Sequence, residues 1–276
     1  MDNVNEFFAA LSSFLWGWPM IVLLLGTHIF LTIRLRFPQR KLFTAIRLSV
    51  QRDKSQKGDV SQFGALATAL AATIGTGNII GVATAVALGG PGAVFWCWLT
   101  GVFGISTKYS EALLAIKYRV KSERGLMQGG PMYTLERGLG WRKMGILFAL
   151  FTAIAAFGIG CTVQANAIST IMYASYGIST ELSGGVLMLL AAAVIIGGVR
   201  SISKVCSMLV PFMALLYVLG CIYILCINAS YVAPALQLIV SSAFSPEAAG
   251  GGFAGSTVIM AARYGIARGL FSNESG

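Results

Sequence analysis

An uncharged tract runs from residue 60 to residue 107, and within it lies Ala71-Ala72-Thr73-Ile74-Gly75-Thr76-Gly77-Asn78-Ile79-Ile80-Gly81. The tract is long enough for two membrane crossings of about 20 residues each. Two glycines beside a threonine and an asparagine are a poor composition for the centre of such a helix. Gly costs about 1 kcal/mol relative to Ala in a helix interior, and an amide in hydrocarbon must find partners where water is missing. A helix that unwinds here turns backbone carbonyls, Thr76 and Asn78 toward a site. These are neutral donors and acceptors, the kind that grip a zwitterion or a metal cation rather than perform acid–base or nucleophilic chemistry. Broken helices at mid-membrane are where secondary transporters hold substrate and coupling ion. Close packing is the competing reading, because Gly77 and Gly81 make a small-xxx-small pair, and spacing alone leaves both open. A second polar group, Gln164 and Asn166, follows Gly158-Ile159-Gly160-Cys161-Thr162-Val163 in another apolar run. Amides there should face a bundle interior, as glue between helices or as the lining of a polar cavity.

The elements that must position these groups are membrane helices. Of 276 residues, 56% are hydrophobic and 11% charged, with mean hydropathy +0.76, which places the chain among all-α polytopic membrane proteins. A transmembrane barrel would show short alternating segments instead of unbroken apolar runs. Cys97, Cys161, Cys206, Cys221 and Cys226 fall in apolar segments without metal-ligand spacing and read as small apolar fillers. The single histidine, His28, reads as a packing residue. The net charge of +10 does not point to nucleic acid, because the 20 Lys and Arg residues cluster between apolar segments, where they report topology.

Taken in order, the first span covers residues 14–33. The basic loop after it, with Arg40, Lys41, Arg47, Arg52, Lys54 and Lys57, belongs in the cytoplasm, so the amino terminus lies outside. The second span, 61–88, carries the break outward; Gly89-Gly90-Pro91-Gly92 is a tight external turn, and 93–107 returns. A second basic stretch, 117–143, contains Gly129-Gly130-Pro131-Met132-Tyr133, which predicts a turn followed by a short surface helix. Further spans are expected over 145–175, 182–199 and 205–227, the last with Pro211 as a kink. Residues 231–244 form a lid or interfacial segment, and a glycine-rich seventh span leads to Arg263 and Arg268. On this trace every basic cluster is cytoplasmic, as expected of a multi-pass protein of a plasma (inner) membrane.

The strings Ala72-Thr73-Ile74-Gly75-Thr76-Gly77-Asn78-Ile79, Gly89-Gly90-Pro91-Gly92-Ala93-Val94-Phe95-Trp96, Gly129-Gly130-Pro131-Met132-Tyr133 and Val163-Gln164-Ala165-Asn166 occur in the order found in one carrier family. With the terminal Ala262-Arg263-Tyr264-Gly265-Ile266-Ala267-Arg268-Gly269-Leu270-Phe271-Ser272-Asn273-Glu274, they make the chain resemble the alanine or glycine:cation symporters. It departs from that pattern at Cys161-Thr162, where Asn-Met is expected, and at Ser275, where Ala is usual.

The resemblance implies the leucine-transporter-type inverted-repeat fold, with the first repeat complete and the second truncated within the Ser-Asn-Glu motif, so that the chain is the amino-terminal part of a longer carrier of bacterial type. Residues 1–33 are then an extra transmembrane helix and 34–60 a cytoplasmic basic loop. Residues 61–230 are the first five-helix repeat with a cytoplasmic segment at 111–144, and 231–276 an external segment and the start of the second repeat. The implied activity is sodium-coupled symport of a small neutral amino acid, alanine or glycine, by alternating access. Gly75, Thr76, Gly77, Asn78, Gln164 and Asn166 are the expected substrate ligands. Thr73, Ile74 and Gly77 would offer backbone or hydroxyl oxygens to Na⁺, and Gly250, Gly251, Gly252, Ser272 and Asn273 would serve as a gate or second helix break. Paired interrupted segments, at Gly75–Gly77 and at Gly250–Gly252, agree with a midplane site.

No Asp, Glu, Lys or Arg lies in the middle of the first six spans. A proton would need a titratable carrier there, so Na⁺ is the expected coupling ion, carried as cargo, and no cofactor is implied. A channel-like or structural membrane subunit is the alternative; it would keep the spans and lose concentrative transport. An enzyme fits worst. The glycines of the break miss the dinucleotide-binding spacing and follow no strand, and no Walker lysine, metal cluster or catalytic triad is visible.

Overall fold

In a computed structural model the described residues are mostly helical. The described residues are 6–7, 10–11, 14–15, 18–51, 58–75, 77–123, 125–158, 161–244 and 265. The helices are α1 (Trp18–Arg34), α2 (Leu42–Val50), α3 (Gln62–Thr73), α4 (Val82–Gly89) and α5 (Gly92–Lys117), followed by the one-turn α6 (Pro131–Tyr133). Then come α7 (Arg142–Gly158), α8 (Cys161–Tyr176), α9 (Thr180–Ile195), α10 (Gly198–Ile227) and α11 (Ala229–Phe244). A two-residue antiparallel hairpin, β1 (Val120–Lys121) with β2 (Met127–Gln128), interrupts the series in the register Val120↔Gln128 and Lys121↔Met127.

Among the described residues, α10 is long and apolar enough to cross a membrane, as is the stretch Arg142–Tyr176 that contains α7 and α8. The count reaches four if two bent helix pairs each make one span. Thirty helical residues measure about 45 Å, more than the hydrocarbon thickness of roughly 30 Å. Only 6% of the most apolar stretch of α10 is buried by the rest of the chain, and none of that of Arg142–Tyr176. Phe212, Leu215, Leu216, Ile222 and Ile224 are all exposed. Such an apolar surface is unsuited to water.

The chain forms two compact units: residues 1–43, 72–109 and 213–276 in one, and 44–71 and 110–212 in the other. The first holds a buried polar seam between α1 and α5. His28 Nδ1 and Thr107 Oγ1 share a 2.6 Å hydrogen bond, and the Thr32 hydroxyl lies 2.8 Å from both Ser106 Oγ and the His28 carbonyl. Gln39 Nε2 donates to Val102 O and Ser106 Oγ, each at 2.9 Å. Here His28 packs, as its lack of a carboxylate neighbour in the sequence suggested, and the seam pairs the hydroxyl and imidazole groups while leaving the buried Gln39 Oε1 without a partner. In the same unit the end of α11 lies on the start of α5. Phe95 and Phe244 meet edge-on at 5.0 Å, Trp96 Nε1 donates to Ala243 O at 3.3 Å, and Gly92 touches the Ser242 and Ala243 backbone.

The second unit carries the predicted surface turn. Gly130 has φ +132 and precedes Pro131, so α6 starts with the positive-φ glycine and first-turn proline that the sequence called for. Glycines also let backbones touch: a methyl on Gly145 would sit 2.8 Å from Met132 O, and one on Gly129 2.7 Å from Ala115 O. One expectation needed adjustment, and the sequence left two elements unspecified. The third span does not end at residue 107: α5 continues to Lys117, because Lys108 to Lys117 are good helix formers and a helix need not stop at the membrane surface. Residues 231–244, expected as a lid or interfacial segment, lie in a regular helix, α11, with Pro234 inside it. The hairpin at 120–128 had no period-two signal and was not foreseen, since two-residue strands are too short to show one.

Candidate functional site

The tract from residue 62 to residue 89 is not one helix. α3 stops at Thr73, Ile74 and Gly75 are non-helical, and Gly77–Gly81 form a π-helical turn from which α4 departs. Local chemistry accounts for the stop. Glycine loses most by being held helical, and π-turns with an extra residue in the spiral gather at functional sites. The Gly75 N–H turns back to Thr73 O at 3.0 Å and the Asn78 N–H to Gly75 O at 3.2 Å. Asn78 Nδ2 also donates to Thr73 O. Thr73, Gly75 and Asn78 thus form one hydrogen-bonded knot, half-buried, with Ile74 and Gly77 half-buried beside it. Gly81, at the far end of the π-helical turn, is buried. The Asn78 amide nitrogen caps the end of α3; the sequence alone assigned it to substrate.

The other sequence-derived ligands lie elsewhere. Gln164 and Asn166 are on α8, and both are exposed; Asn166 Oδ1 accepts a long 3.5 Å bond from Thr170 Oγ1. They belong to the second compact unit and the knot to the first. Thr76, Gly250, Gly251, Gly252, Ser272 and Asn273 lie outside the described residues.

Two positions gain a role that spacing did not give them. Gly265 is buried: a methyl there would collide with Ala93 O and lie 2.7 Å from Trp96 Cβ, and its carbonyl accepts the Cys97 thiol at 3.0 Å. Asp59, at the foot of α3, accepts the Met127 N–H at 2.8 Å. A carboxylate just before a helix start, at the end of a mostly basic loop, was the available signal. A cavity of about 270 Å³ between α8 and α9 is lined by Ile168, Met172, Ile178, Leu182, Val186 and Leu187 with only the Ser183 hydroxyl for polarity, so it lacks the groups that a zwitterion needs. No cluster of His, Cys, Asp and Glu able to hold a metal occurs among the described residues.

A mostly helical set of described residues with exposed apolar helices and a polar knot in an uncharged, interrupted tract defines the class of multi-pass α-helical membrane proteins. Sequence comparison narrows the class. The chain matches the sodium:alanine symporter family over residues 1–276 and belongs to that family. It is 51% identical over 272 residues to the sodium/alanine symporter AgcS of Methanococcus maripaludis, covering 96% of this chain and 59% of that protein. Identity is also 51% with an uncharacterized transporter of Haemophilus influenzae, covering 99% of this chain and 60% of the relative. YrbD of Bacillus subtilis, whose name describes a sodium/proton-dependent alanine carrier, is 40% identical over 98% of this chain and 55% of its own length. The chain thus spans somewhat more than half the length of these relatives.

Proposed function

We propose that the chain is part of a secondary active transporter that couples entry of a small neutral amino acid, alanine or glycine, to Na⁺ by alternating access. The observation that carries the reading is the knot at residues 73–81: an interrupted helix inside a tract without charge. Membership of the sodium:alanine symporter family supports it. On this reading the substrate carboxylate is met by N–H groups at the start of the second half-helix, near Gly75, Thr76 and Gly77, where the helix dipole is positive. The ammonium is met by carbonyls exposed at the break and by the side-chain oxygen of Asn78. Na⁺ takes neutral oxygens around Thr73, Ile74 and Gly77, all of which are hard ligands. The inverted-repeat architecture, the external amino terminus and the inner-membrane location belong to the same proposal.

Energetically the coupling suffices. One Na⁺ entering across ~100 mV supplies about 2.3 kcal/mol, and a tenfold gradient adds about 1.4 kcal/mol. Together they support accumulation of an uncharged solute by roughly 500-fold.

Uptake of radiolabelled alanine into vesicles bearing the full-length parent tests the reading. Concentrative uptake that requires a Na⁺ gradient and persists when the proton gradient is collapsed is expected. Equilibration without accumulation would leave a channel-like subunit; uptake driven by a proton gradient alone would overturn the ion assignment.

A further inference from the structure

The first turn of α3 is fixed by contacts that the transport reading does not use. Asp59 Oδ2 accepts the Met127 N–H at 2.8 Å, across 68 positions of sequence. Two residues later the Ser61 hydroxyl accepts the Gly64 N–H at 3.0 Å and closes the helix start. Gly64 is buried hard against Ser203 of α10. Met127 pairs with Lys121 in the hairpin, and the hairpin is itself locked in place. Gly129, next to β2, has no room for a methyl against the Ala115 carbonyl of α5, and beyond α6 Gly145 has none against Met132 O. All these residues belong to the same compact unit. A carboxylate bonded to a backbone N–H is a charge-assisted contact, about twice as strong as a neutral one. It acts on the very start of the half-helix whose other end is the break at Thr73.

We propose that Asp59 is a positioning residue: through the Met127 N–H it holds the inner half of the broken helix on the hairpin, and loss of this tether frees that half-helix to rock. The inference rests on the transporter reading only for its functional consequence, so its test does not require transport. The reporter position is Ala67 of α3, which is only 2% exposed, so that a thiol there reacts when the half-helix moves off its neighbours. The full-length parent, with native cysteines replaced and the reporter introduced by Ala67→Cys, is labelled in inside-out vesicles with a membrane-impermeant maleimide. Asp59→Ala is expected to raise the labelling rate about tenfold, the ratio corresponding to about 1.4 kcal/mol. Asp59→Asn keeps an acceptor oxygen without the charge and should fall between the parent and Asp59→Ala. Met127→Pro removes the same N–H from the other side and should reproduce Asp59→Ala, and the double variant should add nothing, as expected for two halves of one bond. Unchanged labelling in both single variants, in protein that inserts and remains monodisperse, would overturn the proposal, as would an Asp59→Asn rate equal to that of Asp59→Ala. If this labelling pattern appears while Na⁺-driven uptake fails, the tether stands and the transporter reading falls.

Discussion

Replacing Gly64 by alanine asks whether α3 and α10 touch as closely as the structure shows. In an unobstructed helix the change is favourable by about 1 kcal/mol. At residue 64 the added methyl collides with Ser203 Oγ, lies 3.0 Å from Ser61 Oγ and sits 3.6 Å from Ser203 Cβ. Ser61 Oγ is already engaged by the Gly64 N–H, and Ser203 is only 7% exposed, so neither hydroxyl has much room to yield. Overpacking of this kind costs about 1–3 kcal/mol. The two effects sum to a net destabilisation of up to about 2 kcal/mol, or a fall of roughly 2–4 °C in apparent Tm per kcal/mol. Removing the hydroxyl should reverse the sign. With Gly64→Ala and Ser203→Ala combined, the nearest α10 atom is the Cβ at 3.6 Å, an ordinary van der Waals contact, and the gain in helix propensity remains. Scanning fluorimetry of the purified full-length parent and its variants, at one scan rate because unfolding in detergent is irreversible, should rank the double variant above the parent and the parent above Gly64→Ala. If Gly64→Ala alone stabilises as much as the pair, the close approach of α3 to α10 is refuted.

Gly92→Ala offers no such escape: the methyl would lie 2.6 Å from the Ser242 carbonyl carbon and 2.8 Å from Ala243 Cα, both backbone atoms. It should lower apparent Tm by the equivalent of at least about 1–3 kcal/mol, and trimming the side chain of Ser242 should not rescue it. Asn78→Ala removes the amide that caps Thr73 O and should abolish or strongly weaken substrate binding while leaving membrane insertion intact; Gln164→Ala, on an exposed face of α8, should weaken binding if that face meets substrate. Isothermal binding of alanine at fixed Na⁺ checks both, and unchanged affinity in both returns these amides to a structural role. Glu181, at the exposed mouth of α9, is held below the usual carboxylate range by its own backbone N–H and by the hydroxyls of Thr180 and Ser179. A depressed pKa contributes stability that is present above the unfolded value and is lost as pH falls through the folded value. Glu181→Gln should therefore flatten the acid side of the Tm–pH profile below the ordinary glutamate range and change little at neutral pH; a loss of Tm that is constant with pH would refute this assignment.

Much of the fold was legible without coordinates because it depends on local sums. Hydropathy and charge clustering need no long-range information to identify apolar membrane-type helices, and the turns read at the two Gly-Gly-Pro strings fall at Gly90 and Gly130, where glycine permits the positive φ observed. The interruption after Thr73 was legible for the same reason: Gly75, Gly77 and Asn78 penalise a helix within a few residues of themselves. Direction and partner were not. Which atom the Asn78 amide meets depends on how the chain turns after Thr73, and whether Gln164 and Asn166 face a cavity depends on what packs beside α8. Hydrophobic periodicity reports a face and not its neighbour. The Asp59 tether, the contact of Gly64 with Ser203 and the seat of Gly265 on α5 join residues 68, 139 and 168 or more positions apart. Composition and spacing determined the kind of molecule and where its helix comes undone; only the tertiary structure decided which glycines are contacts and which carboxylate is an anchor, because close approach is a property of pairs that one-dimensional order does not specify.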